Sequence, residues 1–447
     1  MRELTSGKPA GMIFAFALPI ALGSLFQQLY SMIDTVIVGR TIGVDAIAAL
    51  GSTSYISNLI IGFMSGLTNG FAIITARHFG AGDHVKMRRS VAGTIILGLA
   101  VSAVFTVLSM VFLRPFLRIL NTPAEIFDTA YSYISVILIF MTTAMLYNMS
   151  AGVLRAVGDS VTPLVFLIIS SFINIGLDIF FIAKLGFGVK GAAYATVISQ
   201  SFSFIMCCIY ICVRFPYLIP KREEFSVTLN ELGELMAMGL SLALMFSIVE
   251  IGSLILQRAI NNFGTATIAA HTAARKISSI LMLPYSAFGS ACATYCSQNL
   301  GAGRPERVGK GIKSAIFMCW VWSAMAVIVG YLFSPAIVSW IAGTDETFIV
   351  DLASKYMRVN TPFYFILAVL IIMRSSLQGL GRKSIPVASS IIEMIGKAVV
   401  AFAAAPVLGY FGVMISEPIV WFFMTVLLVW GYARDRELVK ATFVSEK

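Results

Sequence analysis

Charge is scarce in this 447-residue chain. Asp, Glu, Lys and Arg make up 12% of it, while 58% is hydrophobic; an ordinary soluble domain carries roughly 25% charged residues. A soluble fold of this length could not hide so much apolar surface, so lipid must solvate much of it. Histidine is rare, with three copies. The six cysteines (Cys207, Cys208, Cys212, Cys292, Cys296, Cys319) all lie inside apolar runs, and no Cys-x-x-Cys pair occurs. They read as small buried hydrophobes rather than metal ligands or disulfides. A nucleotide-binding loop is missing too. The run from Gly303 to Gly309-Lys310-Gly311 has the wrong spacing and lacks the Ser or Thr that would hold magnesium. No Ser/His/Asp or metal-ligand spacing points to catalysis, so neither an enzyme nor a cofactor is expected. The net charge of +10 would suggest nucleic acid in a soluble protein. Here the basic residues fall in short loops between apolar runs, and no nucleic-acid partner is expected.

A membrane span needs roughly 20 apolar residues. Twelve such stretches are present, near 11–38, 46–77, 88–114, 126–157, 161–183, 190–214, 229–262, 266–299, 308–333, 347–379, 385–406 and 412–433. The first is far longer than the roughly 7–15 residues of a cleaved leader's apolar core and reads as a span. Turn signals divide the runs, at Gly80-Ala81-Gly82-Asp83, Gly158-Asp159-Ser160, Gly301-Ala302-Gly303 and Gly381-Arg382-Lys383. Connections on one side are nearly bare of basic residues. The other side carries Arg2 and Lys8, Arg77 to Arg89, Arg155, Lys221 and Arg222, and Arg304 to Lys313, then Arg382, Lys383, Arg434, Arg436 and Lys440. This asymmetry predicts a multi-pass protein of the cell (inner or plasma) membrane with both termini cytoplasmic.

The halves repeat. Gly43-x-x-x-Ile47-Ala48-Ala49 recurs as Gly264-x-x-x-Ile268-Ala269-Ala270, and Gly80-Ala81-Gly82 recurs as Gly301-Ala302-Gly303, both at an offset of 221 residues. Tyr133, Gly158 and Pro163 match Tyr356, Gly381 and Pro386 at an offset of 223. The expected fold is all-α, with twelve transmembrane helices in two pseudo-symmetric six-helix bundles. The amino-terminal lobe covers 1–214 and the carboxy-terminal lobe 229–447, joined by a cytoplasmic linker, 215–228, the one polar, proline-bearing stretch of any length. Six spans per half is even, so both copies share one topology, related by an axis along the membrane normal. Two such lobes can rock about a cleft, which predicts a secondary transporter driven by an ion gradient or by its substrate's own gradient.

A charge inside a span costs about 3 kcal/mol or more and raises a functional question. Counting from the outer ends, Asp34, Asp178 and Thr196 all sit roughly 8–9 Å inside the boundary at 1.5 Å per residue. Asn174 lies one turn deeper on the face of Asp178, and Gln27, Tyr30 and Asp34 form one stripe. Two carboxylates in a low dielectric cannot both ionise cheaply, so the group is expected to titrate as a unit and hold a proton, or a sodium ion shared with the Asn and Thr oxygens. Other readings stand beside this one: a surface salt bridge from Asp34 to Arg40, a structural carboxylate at Asp178, and a Thr196 hydroxyl bonded to its own i−4 carbonyl. In the second half Asn174 maps to Lys397 and Asp178 to Ala401. Glu393 and Lys397, four apart, are expected to neutralise each other. Glu250 is a candidate contact for a cationic substrate. His271 fits a packing role at least as well as a place in the cleft, and Glu417, before Pro418, either lines the cleft or caps a kink.

These residues carry a resemblance to the multidrug and toxic compound extrusion (MATE) family over nearly the whole chain. The matching pieces are Leu18-Pro19, Tyr30-Ser-Met-Ile-Asp34-Thr-Val-Ile-Val-Gly39-Arg40, Gly80-Ala-Gly-Asp83, Leu154-Arg-Ala-Val-Gly158-Asp159, Asn174-Ile-Gly-Leu-Asp178 and Gly191-Ala-Ala-Tyr-Ala-Thr196. The DinF-type branch is the most similar. It implies a coupling carboxylate at Asp34 with partners Asn174, Asp178 and Thr196, and a first helix that bends at Pro19. The resemblance implies a monomeric antiporter that expels small amphipathic, often cationic compounds in exchange for H+ or Na+. The runner-up is a flippase for a lipid-linked precursor on a related two-bundle fold. It calls for a basic cavity, and Arg275 and Lys276 keep it in view.

Overall fold

Long apolar runs have one solution in lipid that closes every backbone hydrogen bond within the segment, and that is the helix. The computed structural model describes residues 4–119, 122–343 and 345–444, and shows no strand among them. Arg2 lies outside the described residues, as do the side chains of Arg436 and Lys440. The first half comprises α1 (Pro9–Thr41), α2 (Val44–Gly80), α3 (His84–Ile119), α4 (Ala124–Ile139), α5 (Met141–Ala156), α6 (Val161–Asp178) and α7 (Val189–Arg214). The second comprises α8 (Leu229–Ile260), α9 (Thr265–Gly301), α10 (Pro305–Ile328), α11 (Ser334–Ala342), α12 (Thr347–Asn360), α13 (Tyr364–Gly379), α14 (Ser384–Val399), α15 (Ala405–Leu408) and α16 (Tyr410–Val444).

Among the described residues eleven helices are long and apolar enough to cross a membrane. The pair α4–α5, bent by 45°, makes a twelfth span. The stretch 126–157 is therefore two helices, not one: Phe140, at φ −99° and ψ 15°, leaves the helical backbone. Phe172 (68% exposed), Phe317 (66%) and Trp340 (80%) would be misplaced in water, and acyl chains are their natural solvent. The fold is an all-α membrane fold of twelve spans in two six-helix bundles.

Contacts group Leu22–Ala243 into one unit, and Leu4–Ala21 with everything from Leu244 onward into a second. In unit 1, α2 and α8 touch backbone to backbone. A Cβ at Gly66 would lie 2.6 Å from the Ala243 Cα, and one at Gly70 would lie 2.5 Å from the Gly239 Cα. Small residues at such a crossing are what allow membrane helices to pack this closely. The repeat is visible in the backbone: Gly82 and Gly303 adopt φ 69° and 66°, and Gly158 and Gly381 adopt 92° and 82°. These left-handed turns suit glycine and would strain any other residue.

Each unit also clamps the segment that leads into a first helix. In unit 1, Arg88 Nε donates to both Glu224 oxygens at 2.7 and 2.8 Å, and Arg89 Nη2 donates to the Ser226 carbonyl at 2.9 Å. In unit 2, Arg304 Nη1 donates to the Thr5 carbonyl at 2.7 Å, and Arg307 Nη2 to the Gly7 carbonyl at 2.9 Å. Leu4 is tied to Gln298 and Asn299 on either side of its peptide. The two carbonyl acceptors, Ser226 and Thr5, stand 221 residues apart, whereas the arginines that reach them do not occupy matching positions.

Candidate functional site

In unit 1 the polar interior is assembled by α1, α4 and α6. Asp34 comes from the carboxy-terminal half of α1, and Asn174 and Asp178 from the end of α6. Asn174 and Asp178 are 2% and 0% exposed, while Asp34 is half-buried. The Asp34 and Asp178 carboxyl groups lie within hydrogen-bonding reach of each other. Among the described residues Asp34 makes no ion pair with Arg40. Asp34 Oδ1, both Asp178 oxygens and both polar atoms of the Asn174 amide are shut from solvent without a hydrogen-bond donor or acceptor. A buried group left so costs about 1–3 kcal/mol, and two facing carboxylates add repulsion. One proton between them removes both penalties. So would a small hard cation, since carboxylate and amide oxygens are its natural ligands.

The local backbone serves this placement. Directly after Asp178 the chain widens into a π-helical turn, Ile179–Lys184. Such turns interrupt the regular ladder and recur at functional sites. α7 packs tightly against it: a Cβ at Gly191 would lie 3.1 Å from the Phe181 Cβ. Thr196 stands on α7, and its hydroxyl donates to the Ala192 carbonyl at 3.0 Å, leaving only oxygen lone pairs to offer. The Tyr30 hydroxyl is in hydrogen-bonding reach of the exposed Gln27. Tyr133 on α4 lies within electrostatic reach of Asp34, Tyr30 and Asp178. Sequence reasoning assigned it no role. Its match to Tyr356 across the repeat was the available signal. α1 continues helical through Pro19.

In unit 2 the candidates divide. Glu417, 8% exposed, accepts from Arg275 Nη1 at 2.5 Å and from the Tyr356 hydroxyl at 3.2 Å. His271 joins this group through ring contacts, edge-on to Tyr356 at 5.4 Å and to Tyr410 at 5.9 Å, with Nδ1 2.9 Å from the Tyr410 oxygen. Both therefore belong to one packed side-chain cluster, joined by ring contacts as well as hydrogen bonds. Glu250 stays apart, exposed on α8. On α14, Lys397 Nζ donates to Glu393 at 2.8 Å and to the Ser253 hydroxyl at 3.0 Å. Another π-helical turn, Val400–Ala404, begins three residues after Lys397. Among the described residues no group of three or more His, Cys, Asp or Glu could hold a metal ion.

The MatE family model matches residues 19–180 and again 241–403, once per half. A probable multidrug resistance protein of Bacillus subtilis, YoeA, is 26% identical over 427 residues, covering 93% of this chain and 92% of that protein. An FAD transporter of Shewanella oneidensis is 21% identical, with 98% of both chains covered. DNA damage-inducible protein F of Escherichia coli is 25% identical over 205 residues, covering 45% of this chain and 43% of that protein. The fold matches a crystal structure of MATE in the bent conformation with TM-score 0.91, at 24% identity over 98% of both chains. With two family matches in register with the two halves, and a twelve-span fold shared with solved relatives, this chain belongs to the MatE family, the multidrug and toxic compound extrusion family its motifs resemble.

Proposed function

We propose that the protein is a secondary antiporter that exports small amphipathic compounds, cationic ones included, in exchange for H+ or Na+. The observation that carries this is the Asp34–Asp178 pair: two facing carboxyl groups beside a buried amide, with no hydrogen-bond partner for five of their polar atoms. In the outward-open state the pair is charged and takes up a cation. Neutralisation removes the repulsion, and the segment around α1 repacks, with Pro19 as the natural bending point because one backbone hydrogen bond is already missing there. The solute leaves outward, the lobes reverse, and the cation is released to the cytoplasm, where both termini lie. Tyr30 and Gln27, one and two turns from Asp34, stand where a solute would sense its protonation. Glu250 is exposed at mid-helix, where an acid is stable only if it faces water or a cationic solute. The names of YoeA and its kin support multidrug substrates.

Gradient-driven efflux of a lipophilic cation from proteoliposomes is the test. Asp34→Asn should leave solute binding in place and abolish uphill transport. Uphill transport at the native rate would remove Asp34 from the coupling. Unit 2 gives one observation to the flippase reading, a half-buried cation with no ion pair, which is taken up next.

A further inference from the structure

Apart from Arg307 and Asp435 at the span ends, the buried and half-buried fixed charges within the spans of unit 2, among the described residues, are three cations, Arg275, Arg374 and Lys397, and two carboxylates, Glu393 and Glu417. Both carboxylates are taken. Glu417 is held by Arg275 at 2.5 Å, and Glu393 by Lys397 at 2.8 Å. Arg374, five residues before α13 ends at Gly379, has no ion pair, and its Nη1 is shut from solvent without a hydrogen bond. Glu393 is the acid within its electrostatic reach. Exchanging partners cannot help, because Glu393 turned to Arg374 would orphan Lys397.

Arginine cannot escape by losing its proton, and a buried charge without a partner is strongly destabilising. The repeat sharpens the point. Lys397 stands at the position of Asn174, and a π-helical turn follows each site. The place that holds Asn174 beside Asp178 in unit 1 thus holds Lys397, paired with Glu393, in unit 2.

We propose that Arg374, backed by the Glu393–Lys397 pair, receives an anionic group, a carboxylate or phosphate, of the molecule that unit 2 binds. The exported class then includes amphiphiles that bear an oxyanion, zwitterions among them, and these are the ones it binds most tightly. This rests on the reading of the protein as an exporter of amphiphiles and narrows it. A guanidinium offers a planar fork of donors matched to such a group.

Equilibrium binding to the full chain in phosphatidylcholine nanodiscs tests it, using rhodamine 19, which has a free carboxylate, and rhodamine 6G, its ester. The free acid should bind about ten- to a hundredfold tighter, the range of one charged hydrogen-bonded contact. Arg374→Gln should erase that preference, while Arg374→Lys retains part of it. Repeating the measurement with phosphatidylglycerol in the nanodiscs separates the sources. If the acid's advantage disappears, a lipid headgroup fills the site; if it persists, the site serves a free solute. Equal affinity of the two dyes for the native chain, or a preference that survives Arg374→Gln, overturns the proposal. No ion gradient is involved, so this result is independent of the coupled-efflux test.

Discussion

Glu224 holds the linker into α8 against α3, and its removal has a size that can be worked out. Its carboxylate, 8% exposed, accepts from Arg88 Nε at 2.7 and 2.8 Å, from Arg88 Nη2 at 2.7 Å and from the Lys221 amide at 2.7 Å. Glu224→Ala deletes these bonds and strands Arg88, whose side chain is 15% exposed. Breaking a fully buried pair costs about 3–5 kcal/mol; discounting for this partly wetted position leaves about 2–4 kcal/mol. At 1.4 kcal/mol per tenfold, the linker should open roughly 30- to 700-fold more often. Lys221 and Arg222 are exposed, so trypsin reads that opening directly when reclosing outpaces cleavage. Glu223→Ala, at an exposed neighbour, is the control. The pH dependence follows from the same contacts. Burial pushes the Glu224 carboxyl up, but the Lys221 amide and the Arg88 guanidinium outweigh it and hold it below the usual range. A depressed value means the clamp is fully formed above the unfolded-state pKa of about 4.3 and is lost as pH falls through the folded value. Nicking should be flat from pH 7 to 5 and rise in stronger acid. If Glu224→Ala is nicked no faster than the native chain, the clamp does not hold the linker.

Two further substitutions probe the interior. Gly70→Val would place its Cβ 2.5 Å from the Gly239 Cα, backbone that cannot yield; a loss of at least about 1–3 kcal/mol is expected, read as a lower melting temperature in detergent. Gly11→Ala, with open space around its Cβ, should melt like the native chain. Glu393→Gln should destabilise by about 3–5 kcal/mol by stranding Lys397, whereas Glu393→Leu with Lys397→Met should come near to neutral. Equal melting of the single and double variants would contradict that account of the pair.

The spans were legible because lipid imposes a length of apolar sequence that no soluble helix needs. The repeat was legible because glycine is required wherever the backbone is left-handed, as at Gly82 and Gly303. Glu393 and Lys397 were read as a pair from their spacing alone, and they form one at 2.8 Å. The sequence does not encode the bend at Phe140 in any local signal, since neither proline nor glycine stands there. Partners far apart in sequence were hidden as well. Nothing about Glu417 in isolation identifies Arg275 and Tyr356 as its neighbours, and Tyr133 reaches the acid pair only through the packing of α4. Arg374 drew no comment because one arginine in an apolar run is conspicuous only when its surroundings prove to hold no free acid.

Ion movement driven by the solute is the decisive measurement. Proteoliposomes are preloaded with a lipophilic cation, no ion gradient is imposed, and internal pH and sodium are followed as the solute runs out. The account predicts that one of the two ions enters as the solute leaves, and that this counterflow vanishes in both Asp34→Asn and Asp178→Asn. Solute exit at the native rate without ion entry, or undiminished ion entry in either variant, would contradict it.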